Sequence, residues 1–188
     1  MRAPKFNAAT LTVEQAASMA EHAGGWSMLA ERAAEYGAAG KVAALGYEIA
    51  LTLVAKPVER AVMGAPAAVA SYLALRYGVN DQEVMGALYV DTRNRLVKES
   101  ELYRGTVNRC AVEPRLILKN GLLAGACGMV VFHTHPSGDP SPSPEDIAFT
   151  RRLAEGGDLV GVKLIDHLIL GGVGRWEIGR ASCRERVS

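Results

Sequence analysis

The chain is poor in cysteine. Its three, Cys110, Cys127 and Cys183, lie far apart with no CxxC pair, which excludes a disulfide framework and a cysteine zinc cage and leaves them as ordinary thiols. Long apolar runs are also missing. None approaches the roughly 20 residues needed to span a bilayer, and the opening MRAPKFNAATL has no apolar core of a secretory signal. These absences predict a cytoplasmic protein with no membrane partner. Charge of one sign is lacking as well: 21 Lys and Arg stand against 20 Asp and Glu, a formal net charge of +1. No global field draws the chain to nucleic acid, so any partner must be recognised locally. No internal repeat is visible.

What is present is enough for one ordinary domain with a core and a small appendage: 188 residues, 49% hydrophobic and 22% charged. Residues 10–77 are alanine-rich and broken by glycines. They read as short helices, TVEQAASMAEH, WSMLAERAAEY, GKVAALGYEIALTLV and APAAVASYLALRY. Strand residues dominate afterwards, with EVMGALYVD and LVKESELYRG predicted to pair across a turn opened by Asp91. EPRLILKNGLLAGA has helical spacing with Pro114 at a first-turn position, and GMVVFH reads as a buried strand. SPEDIAFTRRLAEGG carries a helix start: Ser143 as N-cap, Pro144 first in the helix, Glu145 and Asp146 in the first turn, and glycines at the end. VGVKLID and HLILGG supply closing strands. This order of helices and strands predicts a mixed sheet covered by helices on its faces. Beyond it, EIGRASCRERV has no apolar period and resembles the in-frame translation of a sequencing adapter, so residues 177–188 are read as a non-native tail.

The segment HTHPSGDPSPSPED, residues 133–146, concentrates the chemistry. Histidines at i and i+2 of a strand share a face, so His133 and His135 can offer imidazole nitrogens to one point. The proline-stiffened loop then delivers Asp146 in the first turn of a helix, from which its carboxylate can return towards them. Two histidines, one carboxylate and a water would make an open tetrahedral site of the catalytic kind. Each residue also has a plainer reading. His-x-His at a strand end can be two surface histidines, Asp146 can be the third residue of a capping box with Ser143, and Asp139 can be a turn former beside Gly138. His22 and His167 have no partner at ligand spacing and read as structural, the first on a solvated helix face, the second packed or hydrogen-bonded beside Asp166.

The combination is more specific than its parts. His-x-His, seven residues, Ser, two residues, Asp, preceded by a strand opening on Glu, is the metal signature of the JAMM metalloproteases, the MPN-plus or JAB domain; here it is His133, His135, Ser143, Asp146 and, in EVMG, Glu83. HTHPSGDPSPSPEDIAFTRRL, with DTRNRLVKESELYRGTVNRCAVEPR and LIDHLILGG, resembles more narrowly the bacterial RadC-like JAB proteins over residues 66–176. The resemblance implies an α/β (α+β) fold, a JAB/MPN-type mixed β-sheet flanked by helices and preceded by a small helical region over residues 1–65. It further implies one Zn2+ per chain on His133, His135 and Asp146, Glu83 as the acid/base residue, and Ser143 orienting or stabilising an oxyanion. The activity implied is hydrolysis of peptide or isopeptide amide bonds by a zinc-activated water, with a peptide or protein as the substrate partner.

RadC-like chains commonly carry a helix-hairpin-helix segment before the JAB domain, and YGAAGKVAALGYEIALTLV occupies that place. Its hairpin glycines are reduced to Gly37 and Gly40, and Lys41 is the candidate phosphate contact within it. The alternative function is therefore a DNA-associated accessory protein of the repair or recombination type, with DNA as partner and a structural JAB domain. A zinc deaminase is disfavoured, because neither its H-x-E step nor its P-C-x-x-C pair is present.

Overall fold

The computed structural model describes residues 4–60, 66–77, 82–105, 112–171 and 176–178. Cys110, Cys183 and tail residues 179–188 lie outside them. Cys127 is an exposed free thiol. The amino-terminal part is helical: α1 (Val13–Ala23), α2 (Trp26–Glu31), a 3-10 turn (Ala33–Tyr36) and α3 (Gly37–Arg60). The stretch expected as one helix from Trp26 breaks at Arg32, where the backbone leaves helical geometry at ψ 17°. The next helix is longer than its sequence suggests. Met19, Ala20, Leu29, Tyr36 and Ala39 bury a small separate core. Gly40 serves that packing, since a Cβ there would lie 2.5 Å from Tyr36 Cβ and strike the Ala33 carbonyl, while Lys41 is exposed. Among the described residues no helix is long and apolar enough to cross a membrane.

The sheet has the order β2-β1-β3-β4-β5. β1 (Glu83–Val90) and β2 (Leu96–Gly105) form the expected antiparallel pair. Their turn is closed by Asp91, whose Oδ1 accepts from the backbone N–H groups of Arg93 and Arg95 at 2.8 and 3.0 Å. β3 (Gly128–Thr134) runs antiparallel to β1 and parallel to β4 (Lys163–Leu170), so the sheet is mixed. Every β3 residue is buried, as its uninterrupted apolar run requires. β3 and β4 are joined by α6 (Pro144–Val160), a β-α-β crossover.

Three boundaries differ from the sequence expectation. The two closing strands are one strand, β4, interrupted by a bulge: Met129 pairs with Leu164 and Val130 with Asp166, leaving Ile165 as the extra residue. The glycines expected to end α6 lie inside it. Gly157 makes room there for the Val162 carbonyl, 2.5 Å from where its Cβ would be, and the helix ends at Gly161 with φ 80°. Finally, Glu177 and Ile178, assigned from sequence to the tail, belong to β5 (Trp176–Ile178), which pairs antiparallel with β4.

Helices cover both faces of the sheet. On one, Ala87, Tyr89, Met129, Val131 and Leu164 pack against Ile117 of α5 (Pro114–Leu123) and Leu153 of α6. On the other, Val84, Leu88, Val130, Phe132 and Leu168 pack against Val69, Tyr72, Leu73 and Tyr77 of α4 (Pro66–Tyr77), with Leu51 of α3 at the margin. α4 is pinned to β2 by Glu99, whose two oxygens accept from the hydroxyls of Tyr72 and Tyr77, each at 2.6 Å, with Arg76 Nε 3.1 Å away. Burial, reinforced by the Glu99 carboxylate, raises the pKa of both tyrosines, so they stay protonated donors. Glu99→Ala strips two buried hydroxyls of their acceptor and is expected to cost about 2–3 kcal/mol in urea unfolding, against about 1 kcal/mol for Tyr72→Phe.

Candidate metal centre

The carboxyl end of β3 and the amino end of α6 meet at one point, because the crossover returns the chain over the sheet. β-alternation puts His133 on the face covered by α5 and α6, opposite Met85 of β1. Its side chain is 2% exposed. Two residues on, the chain has left the strand, but His135 N–H still donates to Leu170 O at 2.8 Å. That bond holds the loop against the end of β4. Gly171 permits the approach, since a Cβ there would lie 2.5 Å from the Gly138 carbonyl oxygen and 2.8 Å from Pro140 Cδ. Thr134, between the histidines, points to the opposite face and accepts from Val84 N–H at 2.9 Å. It thereby ties the first residues of β1, Glu83 included, to the end of β3.

His133 Nε2 and His135 Nε2 stand 2.8 Å apart. Asp146 Oδ1 lies 3.4 Å from the first and Asp146 Oδ2 3.8 Å from the second. The ligand atoms of these three residues all fall within 4.8 Å of one another. His135 Nδ1 lies 2.7 Å from Asp139 O. A carbonyl can only accept, so Nδ1 carries a proton, and Nε2, facing His133, is the nitrogen through which the ring would ligate a metal. Two imidazole nitrogens and a carboxylate crowded on one point form a donor set that fits a cation. Tetrahedral nitrogen and oxygen ligands at about 2.0–2.1 Å lie about 3.3 Å apart, so the contact of Asp146 Oδ1 with His133 is near the needed spacing and the pair of nitrogens would open by about 0.5 Å.

Asp146 reconciles its two sequence readings. It is the third residue of a complete capping box: its own N–H donates to Ser143 Oγ at 3.2 Å, and its Oδ2 accepts from Ser143 N–H at 2.8 Å and from the Ser143 hydroxyl. The cap occupies Oδ2, which leaves Oδ1 directed at His133. Burial opposes its charge, yet attraction from His133, the hydrogen bonds from Ser143 and attraction from His135 outweigh it and hold the carboxyl below its ordinary range. Glu83 is half-buried at the start of β1. With His133 and Asp146 it lines a cleft of about 480 Å³, walled by Met85, Tyr103, Phe149 and Arg152.

The other residues singled out in the sequence take the structural places expected of them. His167, read as packed or hydrogen-bonded beside Asp166, is both, and its ring turns towards the site: Nε2 lies 2.9 Å from His133 Nδ1, and Nδ1 lies 2.6 Å from Thr150 Oγ1. Only its backbone N–H meets Asp166. Full burial lowers its pKa to about 4 against the pull of the Asp146 carboxylate, so the ring is neutral at ordinary pH. The bulge at Ile165 puts it there; simple alternation from Leu164 would turn His167 to the opposite face. His22, on its exposed helix face, meets the Tyr36 hydroxyl at 2.8 Å. Asp139 is a turn residue, as read, with Oδ1 accepting from Ser141 N–H at 3.0 Å.

A mixed sheet sandwiched by helices, with His-x-His at one strand end and a capping-box aspartate facing it, defines a JAB-type α/β domain. The RadC-like JAB domain model matches residues 63–180, and the chain belongs to that family. It is 44% identical over 110 residues to a UPF0758 protein of Cupriavidus pinatubonensis, covering 58% of this chain and 48% of the relative. A UPF0758 protein of Shouchella clausii is 44% identical over 90 residues, 48% of this chain and 39% of the relative. One from Burkholderia cenocepacia is 40% identical over 129 residues, 69% and 50% of the two chains. The chain thus spans about half the length of the curated relatives it matches.

The close approach at Gly171 can be tested directly. Gly171→Ala forces the Gly138–Pro140 loop away from β4 and is expected to lower stability by about 1–3 kcal/mol in thermal unfolding.

Proposed function

We propose that this chain is a cytoplasmic, zinc-dependent hydrolase of the JAMM type that cleaves peptide or isopeptide amide bonds. The observation that carries the reading is the convergence of His133 Nε2, His135 Nε2 and the Asp146 carboxylate within 4.8 Å, in a cleft whose wall includes Glu83. When bound there, zinc would supply Lewis acidity and a water whose pKa is drawn towards neutrality. The remaining work falls to the protein. Glu83 accepts the proton of the attacking water and returns it to the leaving nitrogen, a task suited to a half-buried carboxylate at the edge of the cleft. Ser143, whose hydroxyl otherwise rests on Asp146, turns to donate to the oxyanion that develops on the scissile carbonyl. Met85, Tyr103 and Phe149 give an extended peptide apolar walls.

Two variants separate this reading from a purely structural one. Asp146→Ala removes both the helix cap and the third ligand. It is expected to lose about 1 kcal/mol of stability and nearly all bound zinc by elemental analysis; full zinc content in a folded variant would leave Asp146 as a cap alone. Glu83→Gln keeps shape and polarity but cannot take the proton. Its zinc content should be native and its hydrolysis of peptide or isopeptide-linked substrates reduced by roughly 10²- to 10⁴-fold. Native turnover in that variant would remove Glu83 from the reaction.

A further inference from the structure

His167 and Thr150 are buried polar residues, each 1–2% exposed, and nothing in the proposed reaction uses them. They form one hydrogen-bonded chain with the site: Thr150 Oγ1 to Asp146 O at 2.6 Å, His167 Nδ1 to Thr150 Oγ1 at 2.6 Å, and His133 Nδ1 to His167 Nε2 at 2.9 Å. The direction of every bond follows from its far end. The Asp146 carbonyl can only accept, so the single hydroxyl proton of Thr150 points at it. Thr150 Oγ1 must then accept from His167, which places the proton of that neutral ring on Nδ1. His167 Nε2 is left bare and accepts from His133 Nδ1–H. A neutral His133 so oriented presents its lone pair from Nε2, the nitrogen that faces His135 and Asp146.

We infer that Thr150 and His167 are positioning residues which fix His133 in the tautomer that can ligate a metal, by a one-way hydrogen-bond chain beginning at the backbone carbonyl of Asp146. The inference rests on the reading of His133 as a ligand. The chain starts and finishes at candidate ligands: α6 carries Asp146 and, one turn on, Thr150, so the register of one helix sets both the carboxylate and the histidine tautomer. The physical reason for a hydroxyl at position 150 is that a buried Nδ1–H on His167 would otherwise have no acceptor. Without it, the His167 proton moves to Nε2, donates to His133 Nδ1, and drives the His133 proton to Nε2, where it blocks the metal. Outer hydrogen bonds of this kind commonly change metal affinity by about 10- to 100-fold.

The test uses the full chain and zinc alone. Long-range 1H–15N correlation spectra of the metal-free protein at about pH 8, where histidines are neutral by their ordinary pKa, read which nitrogen of His167 is protonated. The expected result is Nδ1–H with Nε2 bare; Nε2–H in the native protein overturns the inference outright. Zinc affinity is then measured by chelator competition for Thr150→Val, which keeps the shape and removes the hydroxyl, and for Thr150→Ser, which keeps the hydroxyl. Thr150→Val should bind zinc about 10- to 100-fold more weakly, with His167 switched to Nε2–H, and Thr150→Ser should remain near native. Equal affinities in Thr150→Val and the native chain contradict the inference. If Thr150→Val does not fold, the native His167 tautomer still decides. A native chain that takes up no zinc would sink the hydrolase reading, and the same spectrum would still accept or reject the relay.

Discussion

Two imidazole nitrogens pressed to 2.8 Å with a carboxylate alongside are the constraint from which the rest of the site follows. His135 donates from Nδ1 to a carbonyl, so Nε2 is the nitrogen from which it can offer a lone pair. Lone pairs aimed at each other repel, and a neighbouring anion does nothing to relieve two acceptors. A cation between them would give each of the three ligand atoms a partner. The surrounding architecture holds the donors together: His133 is buried in a strand, the His135 backbone is bonded to β4, and the second oxygen of Asp146 is engaged by Ser143.

The scaffold achieves this with short-range devices. Thr134 joins the end of β3 to the start of β1, fixing the strand end that bears Glu83. The absent side chain of Gly171 lets the loop lie on β4. On the far face of the sheet, Glu99 gathers Tyr72, Tyr77 and Arg76, which fastens the helical region through α4 to the hairpin that opens with Glu83. The cleft is thus built on strands and a capped helix end, where positions are better defined than on free loops.

Much of this was legible in the residues, and what was not has identifiable causes. The capping box of α6 was readable because Ser143, Pro144 and Asp146 act within one turn. The buried strand β3 followed from its apolar run, and the β1–β2 pairing from the turn at Asp91. His133, His135 and Asp146 could be grouped because a strand end, a stiff loop and a helix start lie in one stretch of fourteen residues, 133–146. Glu83 needed the family resemblance, since it is some fifty positions upstream and only the β1–β3 pairing brings it near. His167 is buried and hydrogen-bonded beside Asp166 as its residues suggested, but its contact with His133 was not legible. Period-two alternation misplaces it, because the bulge at Ile165 reverses the facing of every later β4 residue, and a bulge of that kind leaves no mark in the sequence. Thr150 looked like an ordinary helix residue until its hydroxyl was seen between a carbonyl and a buried histidine.

The convergence is proposed as a metal site made by His133 Nε2, His135 Nε2 and one oxygen of Asp146. Anomalous diffraction at the zinc edge from crystals grown with zinc tests it most directly. One peak per chain is expected, about 2.0–2.2 Å from those three atoms, with the His133 Nδ1 contact to His167 preserved. A peak bound through a different nitrogen of either histidine, or no peak at this point in zinc-saturated crystals, would contradict it.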